Sequence, residues 1–192
     1  MSAMEIPGGI LVLGIGNLLW ADEGFGVRVV EALNEGYLFP EAVTLMDGGT
    51  QGMFLLPHVT EARSLLILDA INFGLEPGEL RLIRDGDVPQ YLGAKKISMH
   101  QTGFQEVLAS ADLLGRMPER LALVGVQPRR LDDYGGSLRP DMKERIPGAV
   151  AMAIGVLETW GVCAKPRGAS PTGPEHTGPR ALSIERYEER PE

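Results

Sequence analysis

Three stretches of the chain are apolar at almost every position: the run from Ile10 to Leu13, SLLILDA ending at Ala70, and RLALVGV ending at Val126. Strands buried on both faces lose the polar alternation of a half-exposed strand, so such runs predict a parallel sheet covered by helices on both sides. VTLMD adds a short strand ending at Asp47. ELRLIR alternates instead, with Leu80 and Ile83 flanked by Glu79, Arg81 and Arg84, which predicts a strand at the sheet margin reached through the turn EPG.

Helical spacing appears between these runs. Val27, Val30, Ala32 and Leu33 form one apolar stripe while Arg28, Glu31 and Glu35 fall elsewhere, so the first strand opens a β-α-β unit. MFLLPHV predicts a short helix stopped by Pro57 that lays Phe54, Leu55 and Leu56 on the sheet. A helical turn is expected around DVPQYL. HQTGFQEVLASADLLG predicts a helix from about Thr102, with Thr102 as its cap and His100 just ahead of it. MKERIPGAVAMAIGVLETW predicts a long closing helix bent near Pro147 and Gly148.

The whole is an α/β protein with a single domain over residues 1–162. From 163 to 192 the stretch KPRGASPTGPEHTGPR is proline, glycine and charge with little to bury, so a disordered tail is expected there, carrying His176 away from any site.

Charge narrows the partners. A formal net charge of -8 and a pI near 5.0 argue against nucleic acid, which needs clustered Lys and Arg, and make a basic or flexible protein segment the more natural partner. The single cysteine, Cys163, excludes an internal disulfide and has no neighbour to activate it, which makes a reducing cytoplasm the expected compartment. MSAMEIPGG lacks a basic leader and an apolar core, and no uncharged run is long enough to span a bilayer, so no membrane association is expected.

Ligands of such sheets bind beyond the carboxyl ends of the strands, where Gly14 to Glu23 lie. A dinucleotide fingerprint would begin at Gly14 and Gly16, but its third glycine is replaced by Leu19 and the helix starts too late to meet a pyrophosphate. There is no G-x-S-x-G and no HExxH. What remains is a dispersed set: Glu23 after the first strand, Asp47 after the second, Asp69 after the third, and His100 before a helix. Each has an ordinary structural explanation, as a helix-dipole acid, a turn acceptor or a helix-approach residue, and His58 after Pro57 reads as a surface residue. Together, two carboxylates and an imidazole suit a borderline divalent metal with positions left open for another ligand.

ILVLGIGNLLWADEGFGVRVVEAL, the DGGT from Asp47 to Thr50, LILDA around Asp69, SMHQ around His100 and LVGVQP, in this order, resemble the nickel-iron hydrogenase maturation endopeptidases. DDYGGSLRP further resembles the uptake-hydrogenase branch. The resemblance implies a three-layer α/β/α sandwich around a five-stranded, mixed, mostly parallel sheet, with ELRLIR as its antiparallel strand.

It also implies an aspartate- or metal-dependent-type endopeptidase that trims the C-terminal extension from a hydrogenase large-subunit precursor. Glu23, Asp69 and His100 match the family's metal-contacting residues. Asp47 matches the aspartate that selects or cuts the substrate, with Gly48, Gly49 and Thr50 beside it as the substrate-binding stretch, and Glu23, Asp69 and Asp47 are the catalytic candidates. The nickel is expected to arrive on the precursor rather than be held permanently, and the enzyme to act as a monomer. A metal-sensing chaperone that inspects the precursor without cutting and a nucleotide-binding oxidoreductase are the alternatives from other classes.

Overall fold

The computed structural model describes residues 9–94 and 99–168, with the side chains of residues 93–102 also outside the description. Its centre is a five-stranded sheet of β1 (Ile10–Ile15), β3 (Val43–Gly49), β4 (Ser64–Ala70), β5 (Leu80–Arg84) and β6 (Arg120–Val126) in the order β3-β1-β4-β6-β5. The first four strands of that order run parallel and β5 runs antiparallel to β6. This is the mixed sheet expected from the sequence, with its alternating strand at the margin. Every residue of β1 and β4 is buried, whereas only Ile83 is buried in β5.

Helices cover both faces. On one, α1 (Phe25–Gly36) and α6 (Ile146–Thr159) pack with the short α5 (Pro140–Lys143) against Val12, Leu66, Leu68 and Val124. On the other, α2 (Leu56–Glu61), α3 (Asp87–Ala94) and α4 (Met99–Leu113) cover Leu11, Leu13, Leu65, Ile67 and Leu123. Neighbouring residues of one strand therefore serve different cores, as the pleat requires.

Helix α1 lies unusually close to the sheet because glycines meet glycines. A Cβ on Gly26 would fall 2.0 Å from the Leu68 carbonyl oxygen, and one on Gly14 would fall 2.6 Å from that of Gly26. The GIGN…GFG spacing is thus a packing device.

Several local expectations are corrected. Pro57 stands in the first turn of α2 and starts the helix, since its missing N–H has no partner to lose there. Phe54 is exposed, and of the three residues expected on the sheet only Leu55 is fully buried, because Gly52–Leu55 forms a separate 3-10 turn. Arg28, assigned by spacing to the polar face, is buried and donates to Glu31 Oε2 at 2.8 Å.

Helix α4 begins at Met99 rather than Thr102, so His100 belongs to its first turn. The closing segment is two helices, with Pro147 starting α6 instead of bending it. At the far end, β7 (Lys165–Pro166) pairs with β2 (Tyr37–Leu38), so chain order continues past residue 163, where the tail was expected to begin. Residues 169–192, with His176, lie outside the described residues.

Candidate active site at the carboxyl edge of the sheet

Beyond β1 the chain makes one tight excursion before α1. Gly16 has φ of +140°, and a Cβ there would stand 1.8 Å from the Glu23 carbonyl oxygen, so only glycine admits the returning chain. The Asn17 side chain accepts from the Leu19 N–H at 3.0 Å, and a 3-10 turn, Ala21–Gly24, follows with the Glu23 N–H donating to the Trp20 carbonyl at 2.8 Å. The returning turn fills the space that a pyrophosphate would need at Gly16, which removes the physical basis of the dinucleotide reading.

Both acids of this turn are buried: Asp22 is 0% and Glu23 7% exposed. The turn packs against β4, the strand that ends in Asp69. Asp69 is itself buried, and its Oδ1 accepts the Ala70 N–H at 2.7 Å, so the acceptor role foreseen for a strand-end acid is present.

Asp47 lies on the other side of β1, in register with Gly14. Immediately afterwards the register slips so that Ile15 faces Gly49, and the intervening Gly48 is the extra residue of a bulge. Gly48 is buried against the Leu13 side chain, Gly49 has φ of +45°, and Thr50 is exposed. Burial pushes the Asp47 carboxyl above the ordinary 3.8, against the lowering pull of the Gly49 N–H and the Arg28 charge.

The pleat separates the two aspartates. Gly14 is in register with both Asp47 and Leu68, so Asp69 is one residue out of step and falls on the face of Leu65, Ile67 and helix α4. Asp47 falls on the α1 side, where Arg28 acts on it. The strands are about 4.8 Å apart, so the two backbones stand about 10 Å apart across β1. His100 stands in the first turn of α4. That helix packs against the 3-10 turn Gly52–Leu55, just past DGGT, but the His100 side chain lies outside the described residues. Among the described residues no three His, Cys, Asp or Glu side chains form a group able to hold a metal ion.

Two residues in the neighbourhood carry contacts to which the sequence assigned no role: Gln127, and Asp22, which it shows only as half of an acidic pair with Glu23 at the start of the first helix. Gln127 is buried, accepts the Phe73 and Leu75 N–H groups at 2.8 and 3.2 Å, and donates to Asn72 Oδ1 and the Pro128 carbonyl at 3.2 and 3.1 Å. It ties down the loop that leaves Asp69. Asp22 accepts the Arg129 and Arg130 N–H groups at 3.1 and 3.3 Å and lies 2.9 Å from Arg139 Nη1. The amide closing the apolar run of β6 was the available signal for Gln127, and the Asp22–Glu23 pair was the signal for Asp22.

The fold and its acidic edge define the class: a doubly covered α/β protein that carries buried and half-buried carboxylates beyond the carboxyl ends of β1, β3 and β4. Residues 27–156 match the hydrogenase maturation protease family. The hydrogenase expression/formation protein HupM of Azotobacter chroococcum is 54% identical over 183 residues, covering 95% of this chain and 86% of that protein. The hydrogenase 2 maturation protease of Escherichia coli is 43% identical over 83% of this chain and 97% of its own. Among solved structures, the hydrogenase maturating endopeptidase HybD from E. coli superposes with a TM-score of 0.79 at 41% identity, covering 84% of this chain and 99% of that one.

The chain belongs to the hydrogenase maturation protease family, and its activity is that of an endopeptidase in hydrogenase maturation. The family resemblance read from the sequence is thereby borne out. HupM's kinship agrees with the branch to which DDYGGSLRP pointed. No described helix is long and apolar enough to cross a membrane.

Proposed function

We propose that this endopeptidase removes the C-terminal extension of a nickel-iron hydrogenase large-subunit precursor after nickel insertion, using nickel carried by the precursor as its recognition element. The observation that carries the reading is the burial of Glu23 and Asp69 on two elements in contact, at the edge bordered by the helix of His100. Two carboxylates and an imidazole leave coordination positions open, which suits a metal shared with substrate ligands and not a closed structural site.

Asp47 has a different task. On the opposite pleat, with its pKa raised by burial, it positions the scissile segment along Gly48, Gly49 and Thr50 or accepts a proton from the attacking water. Water oxygen bonds to the peptide carbonyl carbon, the C–N bond breaks, and the proton passes to the leaving amine. Nickel on the precursor would signal that the cofactor is complete and could polarise the scissile carbonyl or the attacking water. The enzyme works as a cytoplasmic monomer on this partner.

Precursor with and without nickel, incubated with wild-type protein and with His100→Ala and followed by mass, tests the reading. Cleavage is expected only for nickel-loaded precursor and wild-type protein, with His100→Ala slower by at least a hundredfold. Full-rate cutting by His100→Ala, or of nickel-free precursor, sinks the assignment. Absence of any mass change with wild-type protein identifies a non-cleaving chaperone.

A further inference from the structure

The segment from Pro128 to Arg139 contributes nothing to the sheet, yet it is bonded repeatedly to the turn that bears Glu23. The Ala21 N–H donates to the Gly136 carbonyl at 3.2 Å and the Gly135 N–H to the Leu19 carbonyl at 2.8 Å. Trp20 and Tyr134 meet edge to face at 5.4 Å. At the centre lies Asp22, 0% exposed, whose Oδ2 accepts the Arg129 and Arg130 N–H groups and lies 2.9 Å from Arg139 Nη1 as an ion pair without hydrogen-bond geometry, so that neither Asp22 Oδ1 nor Arg139 Nη1 has a hydrogen-bond partner among the described residues. Arg139 is held in turn by Asp133.

A four-residue 3-10 turn is too short to hold its own shape, and the residue after Asp22 is Glu23. A buried ion pair is an expensive way to stabilise a loop, since desolvation consumes much of the Coulombic gain and an apolar pair would serve as well. Its advantage is linkage: one guanidinium pairs with Asp22 of the turn and with Asp133 of the loop at once, which ties the two segments together.

We propose that Asp22 and Arg139 are positioning residues for Glu23, latching the loop of residues 128–139 onto the Ala21–Gly24 turn so that the Glu23 carboxylate is aimed at the precursor-borne metal; this rests on the metal-engaging role given to Glu23 above. Gly16 fixes the turn from the sheet side and the Asp22–Arg139 pair fixes it from the loop side.

The test is calorimetric titration of cadmium, as a metal probe, into the full-length wild type, Glu23→Gln, Arg139→Gln, Arg139→Lys, Asp22→Asn and the Glu23→Gln/Arg139→Gln double variant. Cleavage kinetics and melting are measured in parallel. Arg139→Gln is expected to weaken cadmium binding and lower kcat about tenfold with KM within twofold. Arg139→Lys should recover part of both, and the double variant should bind cadmium no more weakly than Glu23→Gln alone, since the pair acts through that carboxylate. A folded Arg139→Gln with wild-type cadmium affinity and kcat, while Glu23→Gln has lost both, overturns the positioning role. If Arg139→Gln does not fold, Asp22→Asn and Arg139→Lys decide by the same two readouts. Wild-type cadmium binding and cleavage by Glu23→Gln itself overturns the metal reading on which the proposal rests, a result distinct from the first.

Discussion

Asp47 shows how one side chain's surroundings set its usefulness. Burial raises its pKa above 3.8 in the folded chain, so the native state favours the neutral form. The stabilisation linked to this group is complete below 3.8 and is lost as pH rises through the folded value; at neutral pH the protein bears the cost of a half-buried charge. Asp47→Asn is therefore expected to melt at or above the wild-type temperature at neutral pH, with that advantage vanishing on acidification in differential scanning calorimetry. Cleavage by the same variant should fall on the order of 100-fold if Asp47 is the base. The acidic limb of the wild-type rate profile should lie above 3.8, the ordinary value of an aspartate. An unchanged rate would remove Asp47 from the chemistry. Glu23, Asp47 and Asp69 were legible in sequence because each is an acid that interrupts or ends an apolar strand or its turn. Asp22 was legible as the neighbour of Glu23, but its pairing was not, because Arg139 is 117 residues away and only folding joins them.

Elements are placed here by clearances as much as by contacts. Gly26→Ala would drive a Cβ to 2.0 Å from the Leu68 carbonyl and 2.5 Å from that of Ile15, both backbone atoms of strands that cannot yield. We expect it to cost about 3 kcal/mol or more and to lower the melting temperature by roughly 6 °C or more. Gly16→Ala meets only the returning turn, but at 1.8 Å and with φ of +140°, so it should displace Glu23 and abolish cleavage. Its melting point should fall less than that of Gly26→Ala, because the displaced turn is peripheral to the sheet. Equal activity losses at equal stability losses would refute a specific role for Gly16. The alternating pattern of ELRLIR correctly identified the marginal strand, since a half-exposed strand keeps its period of two. The start of α4 was misjudged because Thr102 is a good cap in isolation, whereas packing of α4 on α2, α3 and the Gly52–Leu55 turn extends the helix back to Met99.

At the scale of the molecule, the chain closes upon itself through Val162, which is buried, and through the pairing of Lys165–Pro166 with Tyr37–Leu38. Truncation after Gly168 is expected to leave melting and cleavage unchanged. Truncation after Gly161 removes both a core residue and a strand, and should lower stability by about 2 kcal/mol by thermal denaturation. A large loss from the first truncation would show that the proline- and glycine-rich segment belongs to the folded unit.

Local pattern by itself determined the α/β class, the five strands of the central sheet, the marginal position of β5 and the three acids at the carboxyl edge, because burial on two faces, on one or on none imprints a different period on the chain. Register, pleat and long-range pairing decided the rest: that Asp47 and Asp69 fall on opposite sides of the sheet, that Gly14, Gly16 and Gly26 are clearances where backbone meets backbone, and that Asp22 meets Arg139. These depend on distances between segments far apart in sequence, which periodicity along one segment does not encode.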